Sequence, residues 1–179
     1  MEILLLIKYL FRKIFFGGVN MSSDKVDNIL KQWEAVRPDL DCSAMGVVGR
    51  LRRTSSIWEK KLTPVFQEHG LSSIEFDILA TMRRSDKAIT PTELYHTLML
   101  SSGTVSTRIE KLVKSGFVQR IASEEDRRSC KVTLTDKGSE LVDIVLNAHV
   151  TNMGNMLSVL NRQEQEQLAG LLKKILSAE

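Results

Sequence analysis

The sequence predicts a mainly α-helical chain interrupted by one short hairpin of strands, and three observations carry that prediction. Helix starts recur as one device, a hydroxyl or amide residue followed three positions on by Glu, at "SSIE", "TPTE" and "NRQE". Two short apolar stretches, "FVQRI" and "KVTLT", flank a charged loop and alternate in the manner of strands. Helical periodicity continues on both sides of this centre.

At 179 residues the chain fits one domain, or one domain with an appendage. Its 42% hydrophobic and 26% charged residues allow a buried core. The net charge of +3 excludes a polybasic tail but not a local basic patch. Such a patch exists: residues 101–131 hold seven basic residues against four acidic ones, an excess equal to that of the whole chain. Two cysteines without a CxxC spacing, and three scattered histidines, offer no zinc site and fit reduced thiols in a cytoplasmic protein. HExxH, GxSxG, GxGxxG and P-loop patterns are absent. No nucleophile–base pair stands out, so neither an enzyme nor a cofactor is expected.

Residues 1–20, "MEILLLIKYLFRKIFFGGVN", are apolar and basic. Lys8 and Arg12–Lys13 interrupt every apolar run short of a membrane span, and no cleavage-site pattern precedes Met21. Lys8 and Arg12 share a helical face, which would suit a helix lying on a membrane surface. The preferred expectation is a non-native or disordered extension upstream of a start at Met21, with no stable membrane association.

Residues 21–40 predict an accessory helix, about Asp24 to Val36, with Val26, Ile29, Leu30 and Trp33 apolar. Residues 41–70 predict a long helix. Its seam of Val48, Leu51, Ser55, Trp58, Leu62 and Val65 suits packing on other helices, and Pro64 is expected to kink or end it. Residues 71–134 predict the reading head. Ser72 caps with Glu75 three on, and Leu71 staples Phe76; Thr90 caps with Pro91 and Glu93, and Ile89 staples Leu94.

A tight turn then leads to a helix from Ser102 to Ser115, stopped by Gly116. Ser101 caps it, and Val105, Ile109 and Leu112 form its buried stripe. Its other faces show Ser102, Gly103, Thr104, Ser106, Thr107, Arg108 and Lys111. Short polar side chains let such a helix approach base edges in a major groove, and long cations reach phosphates. Thr104 stands where an acid would repel phosphate. Two helices joined by a tight turn, followed by a two-stranded wing, make a winged helix-turn-helix.

The wing loop carries Asp126, Arg127 and Arg128, with Lys131 opening the second strand. An arginine at a wing tip can enter the electronegative minor groove, and a carboxylate two residues earlier can hold its guanidinium in place. Arg128 and Asp126 fit those roles. Residues 135–179 predict two helices. Thr135 caps the first, with Leu141, Val145, Ala148, Asn152 and Met156 on one face, and Asn161 and Glu164 open the second. The second is expected to bury Leu168, Leu171, Leu172, Ile175 and Leu176. Helices on both sides of the head suggest a dimerisation region, and a two-fold dimer suits a pseudo-palindromic site on double-stranded DNA.

The run "DRRSCKVTLTDKG" resembles the D-x-R…L-T-x-x-G signature of the MarR family, with Asp126, Arg128, Leu134, Thr135 and Gly138 in place. The resemblance extends over about residues 24 to 177. "QWEAVRPDLDCSAMGVVGRLRR" and "SIEFDILATMRRS" are similar to the urate-responsive branch typified by PecS and HucR. That branch implies an accessory helix and a ligand set of Trp33, Asp77, Arg108 and Arg120. Urate is a planar anion, which an aromatic face and two guanidiniums can hold and Asp77 would repel. Were Asp77 paired with a recognition-helix arginine, ligand entry would break that pair and shift the helix.

The expected function is thus a homodimeric DNA-binding regulator, a repressor released by a small anionic effector, urate. Another anion, a phenolic or aromatic acid, or cysteine oxidation remains as the alternative signal. Cys130 sits in the wing, whereas Cys42 does not stand at the sensing position of peroxide-responsive members of the family. A helical interaction protein without DNA binding is the more distant alternative.

Overall fold

The computed structural model describes residues 22–85, 87–122 and 130–178. Seven helices and one two-stranded sheet occur among them: α1 (Lys25–Val36), α2 (Ser43–Gln67), α3 (Ser73–Ser85), α4 (Pro91–Leu98), α5 (Ser102–Lys114), β1 (Val118–Ala122), β2 (Cys130–Leu134), α6 (Asp136–Leu157) and α7 (Arg162–Leu176). The chain divides into two compact units, with the boundary after Ser55, inside α2.

In the first unit, α1 starts on a capping box that the sequence analysis missed. The Asp24 side chain accepts from the Asp27 backbone N–H at 2.9 Å, and Asp27 accepts in return from the Asp24 N–H at 2.8 Å. Arg50 of α2 then clamps the same carboxylates, at 2.8 Å to Asp24 and 2.7 Å to Asp27. Gly46 lets the helices approach closely: a Cβ there would lie 3.1 Å from Leu30 Cδ1. Val26 is buried, while Trp33 on the same helix is 40% exposed.

The second unit is built around α3. Ile78 and Leu79 on that helix expose nothing, nor do Leu94 of α4, Val105 of α5, Val132 of β2 and Val142 and Val145 of α6. Burial on this scale is the main stabilising term, about 25 cal/mol for each Å² of apolar surface removed from water. The helix from Ser102 has the predicted buried stripe of Val105, Ile109 and Leu112. Its C-terminal stop is as expected, with Gly116 at φ +75° and the Phe117 N–H returning to the Leu112 carbonyl at 3.0 Å.

The strands pair antiparallel, Val118 opposite Leu134, Arg120 opposite Val132 and Ala122 opposite Cys130. Ile89 adds an isolated bridge to β2: its N–H and carbonyl exchange bonds with Val132 at 3.1 and 2.8 Å. Its place in the sequence shows only the staple to Leu94. Ion pairing between Arg83 and Asp143, at 2.9 Å, ties α3 to α6.

Three expectations need correction. Of the two outcomes expected at Pro64, a kink or an end, the end does not occur: α2 runs on to Gln67. A proline removes one N–H donor, and here the packing of the following turn outweighs that loss, since Phe66 just beyond is buried. The core takes only part of the predicted seam of α2, with Leu62 packed against it. Val48 and Leu51 are exposed and Trp58, Leu62 and Val65 half-buried, whereas Phe66, outside the seam, stacks on Phe76 at 4.7 Å. Lastly, α7 buries none of its residues: Leu171, Ile175 and Leu176 are exposed, and Leu168 and Leu172 half-buried. Its apolar stripe is real, but among the described residues it is covered only in part.

Candidate nucleic-acid interface

The recognition helix α5 starts where the sequence placed it. The Ser101 side chain accepts from the Thr104 backbone N–H at 3.3 Å, and the two hydroxyls lie 2.8 Å apart. Thr107 turns its hydroxyl back to the Gly103 carbonyl at 3.0 Å. Ser101, Ser102, Gly103, Ser106 and Thr107 are exposed, and Thr104 is half-buried. The N-terminal turns therefore present a short, polar, uncharged surface, closed by backbone N–H groups at the positive end of the helix dipole.

Arg108 and Lys111 lie one turn further on, and both point to α3. Lys111 Nζ lies 2.8 Å from Glu75 Oε1, and Arg108 Nη1 lies 3.4 Å from the same oxygen. The other Glu75 oxygen accepts from the Ser72 backbone N–H at 2.8 Å, completing the capping box of α3. Burial pushes the Glu75 carboxyl up, but the Lys111 ammonium and the two Ser72 hydrogen bonds outweigh it and hold the group below the ordinary carboxylate range. The sequence shows Glu75 only as the acid of a capping box. The signal for the rest, a Glu on α3 facing two cations on α5, needs the packing of the two helices.

Asp77 stands two residues from Glu75 on the same helix, so it projects in a different direction. The carboxylate that holds Arg108 here is Glu75, the neighbour two positions before Asp77 on the same helix. Asp77 reaches solvent, yet the protein beside it raises its carboxyl above the ordinary range by desolvation. Glu59 acts in the same direction, and His149 and Arg84 act against it.

His149 was read in the sequence as one of three scattered histidines. In the fold its ring lies 5.1 Å from Phe66 and 5.2 Å from Phe76, centre to centre. Its Nδ1 is buried without a hydrogen-bond partner. Burial lowers the imidazole pKa, and Asp77 opposes that shift.

Arg120 lies exposed on β1. Trp33 belongs to the first unit, and Asp77, Arg108 and Arg120 belong to the second. Lys131 opens into β2, half-buried and opposite Ile121. Asp126, Arg127 and Arg128 lie outside the described residues. No cluster of three metal-ligating side chains occurs among the described residues, and no helix among them is long and apolar enough to cross a membrane.

Comparison with known proteins places these features. A model of the MarR family matches residues 69–129, from the start of the reading head into the wing. The chain is 39% identical over 153 residues to the HTH-type transcriptional regulator PecS of Dickeya dadantii, covering 84% of this chain and 92% of that protein. It is 36% identical over 109 residues to YkoM, an HTH-type transcriptional regulator of Bacillus subtilis, covering 60% of this chain and 70% of that one. Among solved structures, a MarR mutant from E. coli in complex with operator DNA superposes with a TM-score of 0.65 at 23% identity. That match covers 86% of this chain and 99% of the other, and it supports the fold.

Proposed function

Because the chain belongs to the MarR family of DNA-binding transcriptional regulators, and is not an enzyme, we propose that it is a cytoplasmic homodimeric repressor released from a pseudo-palindromic operator by urate. The observation that carries the reading is the position of Arg108. It stands on the recognition helix, and the carboxylate that holds it lies on α3, one residue away from Phe76 and two from Asp77. An anion that draws on Arg108 competes with that carboxylate, and α5 answers to the competition. Arg120 would supply a second guanidinium for a flat anion. Asp77 would set the response by repelling the bound charge.

Exposed apolar residues on the last two helices support the dimer. Leu171, Ile175 and Leu176 on α7 are exposed, as are Ile144 and Val150 on α6. A surface patch of this kind asks for a partner, and a second copy related by a two-fold axis would place two reading heads about 34 Å apart.

The deciding experiment titrates urate against a preformed complex of the protein with its operator. Release of the DNA by urate, and weaker urate binding to the complex than to the free protein, are expected, since the coupling must be reciprocal. Retention of the complex up to millimolar urate would overturn the urate reading. It would leave a regulator of this family that answers to another aromatic acid or to thiol oxidation.

A further inference from the structure

Among the described residues four helices start on a capping box, and three of those boxes end in a glutamate. Two of the three glutamates are ordinary. Glu93 accepts from the Thr90 N–H at 2.6 Å and Glu164 from the Asn161 N–H at 2.8 Å, both near the surface and both turned to their own cap. Glu75 differs. Its side chain exposes nothing, and its two oxygens are divided between two tasks. One serves the cap, and the other takes Lys111 at 2.8 Å and Arg108 at 3.4 Å. The two cations stand three residues apart, so they share one face of α5.

From this geometry we propose that Glu75 is a positioning residue for DNA recognition. It sets the roll of α5 about its own axis and keeps Arg108 and Lys111 from acting as unrestrained counterions for phosphate. The inference goes beyond the family's DNA binding and does not depend on the identity of the effector.

The physical reason lies in how the two kinds of contact act. A carboxylate stripped of water needs its cationic partners, and those partners are fixed on α5. Holding them on one side turns the short polar face of Ser102, Ser106 and Thr107 to the other. Phosphate contacts bind every sequence alike, whereas base-edge contacts discriminate. Cations held by Glu75 therefore contribute less to binding that ignores sequence, and the fixed roll favours binding that reads it.

The test uses the full chain and two duplexes, one of random sequence and one enriched by the wild-type protein from a random library. Affinity is measured for both across a range of salt concentrations. Glu75→Gln keeps the length and the cap acceptor but gives up the charge. It should tighten binding to random DNA and steepen its salt dependence, since each cation freed for phosphate adds about 0.9 to the slope of log K against log salt. The preference for the enriched duplex should fall several-fold. Adding Lys111→Gln to that variant should take back about one unit of the added slope.

Glu75→Asp, which keeps the charge but withdraws it from Lys111, should give the same changes in smaller measure, and it serves if Glu75→Gln folds poorly. Lower melting temperature with slope and preference equal to the wild type, in whichever variant folds, would overturn the proposal. Glu75 would then be a cap and nothing more.

Discussion

Asp77 and Arg120 carry opposite charges, and their replacement should separate ligand binding from ligand response. Arg120→Ala removes a charge-assisted contact to an anion and should weaken urate binding by about 2 kcal/mol in a calorimetric titration. Asp77→Asn should still bind urate yet release DNA poorly, because the repulsion is gone. Equal behaviour of the two variants would count against their assigned roles. His149 makes a different prediction, about pH. Its imidazole is held below the ordinary value of 6.5, chiefly by burial, so the folded chain takes up a proton less readily than the unfolded chain. The stability this contributes is fully present above pH 6.5 and is lost as pH falls below it through the folded value. Urea denaturation at neutral and mildly acidic pH should show a loss in the wild type that is smaller in His149→Leu. An equal loss in both would place the acid sensitivity elsewhere. Neither Asp77 nor His149 could be seen in the sequence to share an environment, because seventy-odd residues separate them and only the packing of α6 on α3 brings them together.

Among the elements, the junction of the wing with α6 depends on one small residue. Thr135 caps α6 by accepting from the Gly138 N–H at 3.0 Å, and its own hydroxyl donates to the Gly116 carbonyl at 2.7 Å. Gly138 sits against the Phe117 backbone so tightly that a Cβ would come within 2.0 Å of the Phe117 carbonyl oxygen. Gly138→Ala must push the hairpin away from α6 and should cost about 3 kcal/mol, the upper part of the range for overpacking. Its midpoint in urea would show this, and a change below about 0.5 kcal/mol, the scatter of ordinary surface substitutions, would refute the contact. Most element boundaries could be read beforehand because their causes are local. Thr90, Ser101, Thr135 and Asn161 each accept from a backbone N–H three residues on, as their spacing predicts. The bridge at Ile89 could not be read that way, since a single bridging residue has no periodicity of its own.

For the whole molecule, the partly covered stripe of α7 makes the strongest claim. Leu171→Glu combined with Ile175→Glu leaves the core of the chain untouched, as both side chains are exposed within it. The variant should fold as a monomer in sedimentation and lose affinity for a two-half-site operator, because two linked heads gain from each other's binding. A variant that still sediments as a dimer would move the interface to another surface. The apolar residues of α7 stand at the spacing the sequence shows, yet none of them is buried within the chain. Hydrophobic spacing tells that a face seeks cover, and it does not tell whether the cover belongs to the same chain.

Legible from the chain of residues alone were features whose cause lies within a few positions: the order of helices and strands, the caps of α3 to α7, the Gly116 stop, the small polar face of α5 and the family signature around Thr135 and Gly138. Tertiary structure alone decided which groups face each other. The choice of Glu75 over Asp77 as the partner of Arg108 is the clearest case. Both are acids on α3, two positions apart, and composition does not rank them. A helix turns about 100° with each residue, so those two positions look in different directions, and only the docking of α5 selects one of them.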